Sequence, residues 1–223
     1  TVSVLYWHRT MERQRQRARE LLVAQVGDNA ADVTSLAFTG VALLDAAELS
    51  NTKFPALQDL SLVGMKPPVK DMGALAAQFP FLRKLNVSDN RVEAFPAGFA
   101  MPNLVRLNAA NNAIATVEAV KALADGCPSL EILDLFMNPI ADEAGFREAV
   151  FAAVPSLVVV NDHTRDGQEV DPEDTDEDDD DEEGDEEEEE ADEEEEEDDD
   201  SGSDGGEAAA PPAAKQHRAE GEA

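Results

Sequence analysis

Between residues 171 and 200, 26 of 30 residues are Asp or Glu and none is Lys or Arg. Carboxylates at that density gather cations. Extended at roughly 3.4 Å per residue, the segment carries a negative charge about every 4 Å. Duplex DNA carries one per ~1.7 Å, so a basic protein meets here a charge density within a factor of about two to three of nucleic acid.

Other residues able to do chemistry are sparse. Thr175 has Asp178 three positions on and Ser201 has Asp204, the context of acid-directed kinases of the casein type; phosphate there adds charge to a region already saturated with it. Asp179, Asp181, Glu183, Gly184 and Glu190 fall at the offsets of a calcium loop. In so acidic a segment those offsets arise by chance, Glu186 stands where an apolar residue belongs, and no helical pattern flanks the loop. His8, His163 and His217 are scattered, and no Cys/His metal spacing, phosphate-cradling glycine loop or nucleophile motif is present. No cofactor or metal is expected, and the chain reads as a non-enzyme. Cys127 is the lone cysteine, which excludes an intrachain disulfide and suits a reducing compartment. Arg13, Arg15, Arg17 and Arg19 form a basic run that reads either as a localisation or nucleic-acid patch or, within the capping helix, as a solvated helix face.

The charge divides the chain. Residues 171–223 hold 30 acids against 2 bases and no Leu, Ile, Val or Phe, so they cannot bury enough apolar surface to offset ordering, and a disordered acidic tail is expected. Residues 1–170 hold 20 acids against 15 bases and are long enough for one core. Within them, residues 11–170 are expected to be the folded domain, and residues 1–10, which precede Met11 and hold the only Tyr and Trp, an upstream non-native or disordered extension. No apolar run approaches the ~20 residues of a membrane-spanning helix.

The folded part repeats. An apolar-x-x-apolar-x-apolar pattern recurs from Val33, Leu57, Leu82, Leu104 and Leu130, with a degenerate copy from Leu157. Its central residues, Leu36, Leu60, Leu85, Leu107, Leu133 and Val160, lie 24, 25, 22, 26 and 27 apart. That is the period of leucine-rich repeats. The expected fold is therefore α/β: a right-handed leucine-rich-repeat solenoid of about five repeats plus an end cap. Each copy supplies a short strand with alternate side chains inward. Asn90, Asn112 and Asn138 follow three of the strands, where an amide can satisfy backbone groups between coils. Segments 72–78, 115–124 and 144–154 read as convex helices or turns, and Pro80, Pro102, Pro128 and Pro155 end them. Residues 11–26, with Ala18, Leu21, Leu22 and Val26 on one face, read as an amphipathic capping helix ended by Gly27, and residues 146–157 as the opposite cap.

Outward positions of the strands supply a mixed polar concave face: Asp59, Ser61, Lys84, Asn86, Arg106, Asn108, Asp134 and the aromatic Phe136. A concave face is where a repeat protein grips a partner.

The segment 84–92 (KLNVSDNRV), Cys127 to Leu130 (CPSL), Leu133 to Phe136 (LDLF), Phe146-Arg147 with Val150-Phe151, Pro155 with Leu157, and Arg165-Asp166 with Glu169, all followed by the polyanion, resemble the acidic leucine-rich nuclear phosphoprotein 32 family. The resemblance implies a non-enzymatic, monomeric protein of nucleus and cytoplasm. It would bind histones and other basic proteins, act as a histone chaperone or chromatin regulator, and inhibit a type 2A protein phosphatase. Direct contact with nucleic acid is opposed by charge. The alternative is a scaffold in RNA processing like the spliceosomal leucine-rich A-prime protein, which has a similar end cap and leaves the tail unexplained. Only Lys215 and Arg218 stand where family members carry a clustered basic import signal.

Overall fold

The computed structural model describes residues 2–27, 29–44, 48–49 and 53–170, with side chains from residue 8 onward. The acidic segment 171–223, with Thr175 and Ser201, lies outside the described residues.

Seven strands form one sheet in sequence order: β1 (Ser35–Thr39), β2 (Asp59–Val63), β3 (Lys84–Asn86), β4 (Arg106–Asn108), β5 (Ile132–Asp134), β6 (Val159–Val160) and β7 (His163–Thr164). β1 to β6 pair in parallel, and the register sets Leu36, Leu60, Leu85, Leu107, Leu133 and Val160 side by side. These residues are buried, as is a second inward row of Phe38, Leu62, Val87, Ala109 and Leu135. One strand period thus places two residues per coil in the core, and a solenoid follows because each coil can bury its apolar row only against its neighbours.

The convex side is closed by α2 (Met72–Gln78), α3 (Ala122–Gly126) and α4 (Phe146–Ala153), with short 3-10 turns at Val117–Val120 and Pro139–Asp142. Segment 115–124, expected as helix or turn, holds the 3-10 turn Val117–Val120 and the start of α3. Asp71 caps α2, its carboxylate accepting from the Ala74 N–H at 3.0 Å. The coils turn back toward the sheet at X-Pro-x-Leu segments, where the Leu N–H donates to the carbonyl of X: Leu57 to Phe54, Leu104 to Met101, Leu130 to Cys127 and Leu157 to Val154, at 3.0–3.2 Å. Pro55 thus joins Pro102, Pro128 and Pro155 in this series.

Asn90 lies at the centre of one inter-coil turn. Its Oδ1 accepts from the N–H groups of Met65 (3.2 Å) and Val69 (3.0 Å), and its Nδ2 donates to the carbonyls of Leu62, Val87 and Ser88 at 2.7–2.9 Å. Asn112 and Asn138 repeat the arrangement one and two coils on. These asparagines stand where backbone groups would otherwise be buried unpaired. Asn161, in the degenerate copy, extends the ladder by accepting from the Leu135 N–H at 2.6 Å.

Both ends are covered. The helix α1 (Val2–Val26) buries Ala18 and Leu22 with Leu21 and Val26 packed beside them, while Arg13, Arg15, Arg17 and Arg19 face solvent. It begins nine residues before the expected start at Met11, because residues 2–10 contain neither Gly nor Pro to interrupt a helix. Gln25 of α1 meets the open edge of β1: its amide donates to the Ala37 carbonyl at 2.8 Å and accepts from the Ala37 N–H at 2.7 Å. One side chain thereby occupies the position of a neighbouring strand. At the far end the parallel order stops. β6 and β7 pair antiparallel, and Arg165 lies 4.9 Å from the Phe151 ring centroid while donating to the carbonyls of Pro155 and Leu157.

Candidate functional site

The eight outward residues fall on successive positions of the sheet. Asp59, Lys84 and Arg106 are register partners with Ser35 before them and Ile132 after; Ser61, Asn86, Asn108 and Asp134 form the next row, and Ala37 precedes them. Two residues of a third row are fixed by hydrogen bonds, since Asn111 donates to the Phe136 carbonyl and Asp89 to that of Ala110.

A cavity of about 340 Å³ opens on this face, lined by Asp59, Ser61, Lys84, Asn86, Arg106 and Asn108 together with Ser35, Leu60 and Leu85. Six of the eight expected residues are thus brought together. Asp134 and Phe136 lie outside the cavity, farther along the sheet. Ser35 was legible as the same position in the first repeat copy. The equivalent residue of the fifth copy, Ile132, is only 6% exposed, so the polar row ends there and its place is taken by core.

The middle row has a second task. Asn86 Oδ1 accepts from the Ser88 N–H at 2.9 Å, Asn108 Oδ1 from Ala110 at 3.0 Å, and Asp134 Oδ1 from Phe136 at 2.9 Å. Each fastens the backbone two residues on, the geometry short polar side chains favour at strand ends. These residues therefore shape the surface as well as line it.

The turn that follows each of β1 to β5 holds a residue in the left-handed region: Gly40, Gly64, Asp89, Asn111 and Met137, with φ of 66°, 57°, 58°, 49° and 56°. The first four are residue types that tolerate this conformation, and Met137 is not.

Electrostatics single out the fifth coil. Burial pushes the Asp134 carboxyl above its usual value; the Phe136 N–H opposes that shift, Asp162 reinforces it and Arg106 opposes it. Asp134 and Asp162 therefore lie within electrostatic reach of each other. Cys127 is buried, its thiol pushed up to about 11 by desolvation against a weaker hydrogen bond with the Met101 backbone, so it stays protonated near neutral pH. Among the described residues no group of three or more His, Cys, Asp or Glu is placed to hold a metal ion, and no helix is long and apolar enough to cross a membrane. What the face can do is bind: it offers one cavity of mixed charge and, beside it, an acidic and aromatic rim.

The chain has curated relatives. Acidic leucine-rich nuclear phosphoprotein 32 family member A of Drosophila pseudoobscura pseudoobscura is 36% identical over 126 residues, 56% of this chain and 46% of that protein. The chain is similar to that family. Its counterpart from Drosophila melanogaster is 31% identical over the same shares. The match spans about half the length of these members of the phosphoprotein 32 family. No protein-family model matches the chain. Among solved structures, the Drosophila melanogaster SNF/U2A' complex is similar over 48% of this chain and 71% of that one, with 19% identity and a TM-score of 0.30.

Proposed function

We propose that the protein is a non-enzymatic binder of histones and other basic nuclear proteins, acting as a histone chaperone, with inhibition of a type 2A phosphatase as the finer activity the family resemblance implies. The observation that carries this reading is the pairing, in one chain, of a polyanion of 26 acids in 30 residues with a preformed concave face. The polyanion attracts any cationic partner, raising its encounter rate and making affinity fall with salt. The face, with Asp59, Ser61, Lys84, Asn86, Arg106 and Asn108 around the cavity and Asp134 and Phe136 beside it, discriminates among partners by shape and charge placement. A nuclear location accords with the relatives' names, and a cytoplasmic pool belongs to the proposal.

The test is affinity capture of histones by the full chain and by a chain lacking residues 171–223, at low and high salt. Histone binding that weakens with salt and is nearly abolished by the deletion supports the reading. Binding by the truncated chain that ignores salt overturns it, and splicing proteins retained without the tail would instead favour the RNA-processing scaffold.

A further inference from the structure

Phe136 and Met137 are neighbours in sequence and both project into solvent, 41% and 76% exposed. The other large exposed apolar side chains among the described residues, Val23, Phe81 and Val158, are isolated along the chain. The alternation that buries Leu135 turns Phe136 outward, and Met137 takes the left-handed turn position after the strand; what sets this coil apart is that both residues are large and apolar. Phe136 is fastened on both sides of its peptide: its N–H donates to Asp134 Oδ1 at 2.9 Å, and its carbonyl accepts from the Asn111 N–H at 2.8 Å and from Asn138 Nδ2 at 3.3 Å. The ring is thus exposed on a rigid backbone, so a partner that covers it need not order the loop first. Met137 keeps a large apolar side chain at a left-handed position that the other coils give to Gly, Asp or Asn.

The flank of this apolar pair is acidic. Asp134 precedes Phe136 by two residues, on the same side of an extended chain, and Asp162 acts electrostatically on Asp134 from the neighbouring coil. An aromatic face beside carboxylates suits a cation on an aliphatic stem, which can lie along the ring and turn its charge to the acids.

We propose that Phe136 and Met137, flanked by Asp134 and Asp162, dock an extended basic peptide that carries an apolar side chain beside a Lys or Arg. This deepens the reading above and rests on it: the polyanion answers to positive charge alone, whereas this rim answers to the apolar residue next to the charge.

The experiment compares two fluorescent peptides of equal length and charge, one alternating Lys with Leu and the other Lys with Ser, binding to the full chain. At about 0.5 M salt, where the screening length falls to roughly 4 Å, attraction to exposed carboxylates is largely removed while partly buried groups keep theirs. The Lys/Leu peptide is expected to bind about tenfold more tightly than the Lys/Ser peptide, the effect of burying one apolar side chain. Phe136→Ala should erase that preference and Met137→Gly, which keeps the turn, should reduce it, while Phe81→Ala leaves it intact. Equal affinities for the two peptides, or a preference that survives both Phe136→Ala and Met137→Gly, would overturn the proposal. Failure of both peptides to bind even at low salt would instead sink the broader reading, so the two failures are distinguishable.

Discussion

Gly126 passes so close to Phe99 that a Cβ added to the glycine would lie 1.7 Å from the Phe99 carbonyl oxygen. The same contact is tied by the Met101 N–H, which donates to the Gly126 carbonyl at 2.9 Å. Two convex segments, one from each of two adjacent coils, are pressed together at a point where no side chain fits. Gly126→Ala is therefore expected to force the backbones apart and destabilise the domain by about 2 kcal/mol or more, in the range of overpacked cores. Urea unfolding measures it; a change under about 0.5 kcal/mol, as for an ordinary surface substitution, would show that the coils can slide freely here.

Asn90 satisfies two backbone N–H groups and three carbonyls from a position only 8% exposed. Asn90→Ala removes every one of those partners at once, and buried donors left unpaired carry the larger penalty. The expected loss is about 3 kcal/mol. The exposed Asn111, which reaches only Asp89 with its side chain, serves as the comparison and should lose far less on truncation.

Met137 has φ of 56°, where a non-glycine residue is disfavoured by roughly 1–2 kcal/mol. Met137→Gly should raise stability by about 0.5–1 kcal/mol, the relief of strain being partly offset by the greater freedom glycine gives the unfolded chain. Introducing methionine at the matching Gly64 should act in the opposite sense. Thermal melting of the two variants decides it, and shifts of the same sign would contradict the equivalence of the two turns.

Asp134 has its folded pKa raised above the ordinary 3.8, chiefly by burial. A group of this kind favours the folded state in its protonated form, so its contribution is fully present below the unfolded pKa and is lost as pH rises through the folded one. Asp134→Asn keeps an oxygen to accept the Phe136 N–H and discards the charge beside Asp162. The variant should be at least as stable as the parent at neutral pH, and its advantage should shrink as acid protonates the parent. Denaturation midpoints from pH 3 to 7, about the carboxylate titration range, would expose an advantage that instead grew toward low pH.

Much of this fold can be read from spacing because its physics is local and repeated. Leu60, Leu85 and Leu107 occupy the same position in successive copies, and a strand period of two leaves them no face but the interior. The asparagines after the strands are legible for the same reason: a buried turn needs backbone partners in every coil. Six of the concave residues follow directly from the alternation that places the leucines. Ile132 does not: the repeat pattern alone assigns it to the polar face, whereas it is buried, in register with Val159 of the last parallel strand. β6 is legible as the degenerate copy around Val160, but β7 and its antiparallel return are hidden, since a two-residue strand outside the repeat carries no periodicity to detect. So is the second use of Asn86, Asn108 and Asp134, for an outward polar side chain looks the same in a sequence whether it waits for a partner or fastens its own strand.

By itself, then, the order of residues determined the coil period, the inward rows, the asparagine turns and the segregation of charge into residues 171–223, because each depends on side-chain type at short, regular spacing. Only the tertiary structure decided which outward residues share a cavity, where Gly126 meets Phe99, how Gln25 closes the edge of β1, and that Phe136 is held rigid while its ring stays exposed. Those relationships depend on the register between coils and on the ends of the stack, where contacts join residues too far apart in sequence for any period to connect them.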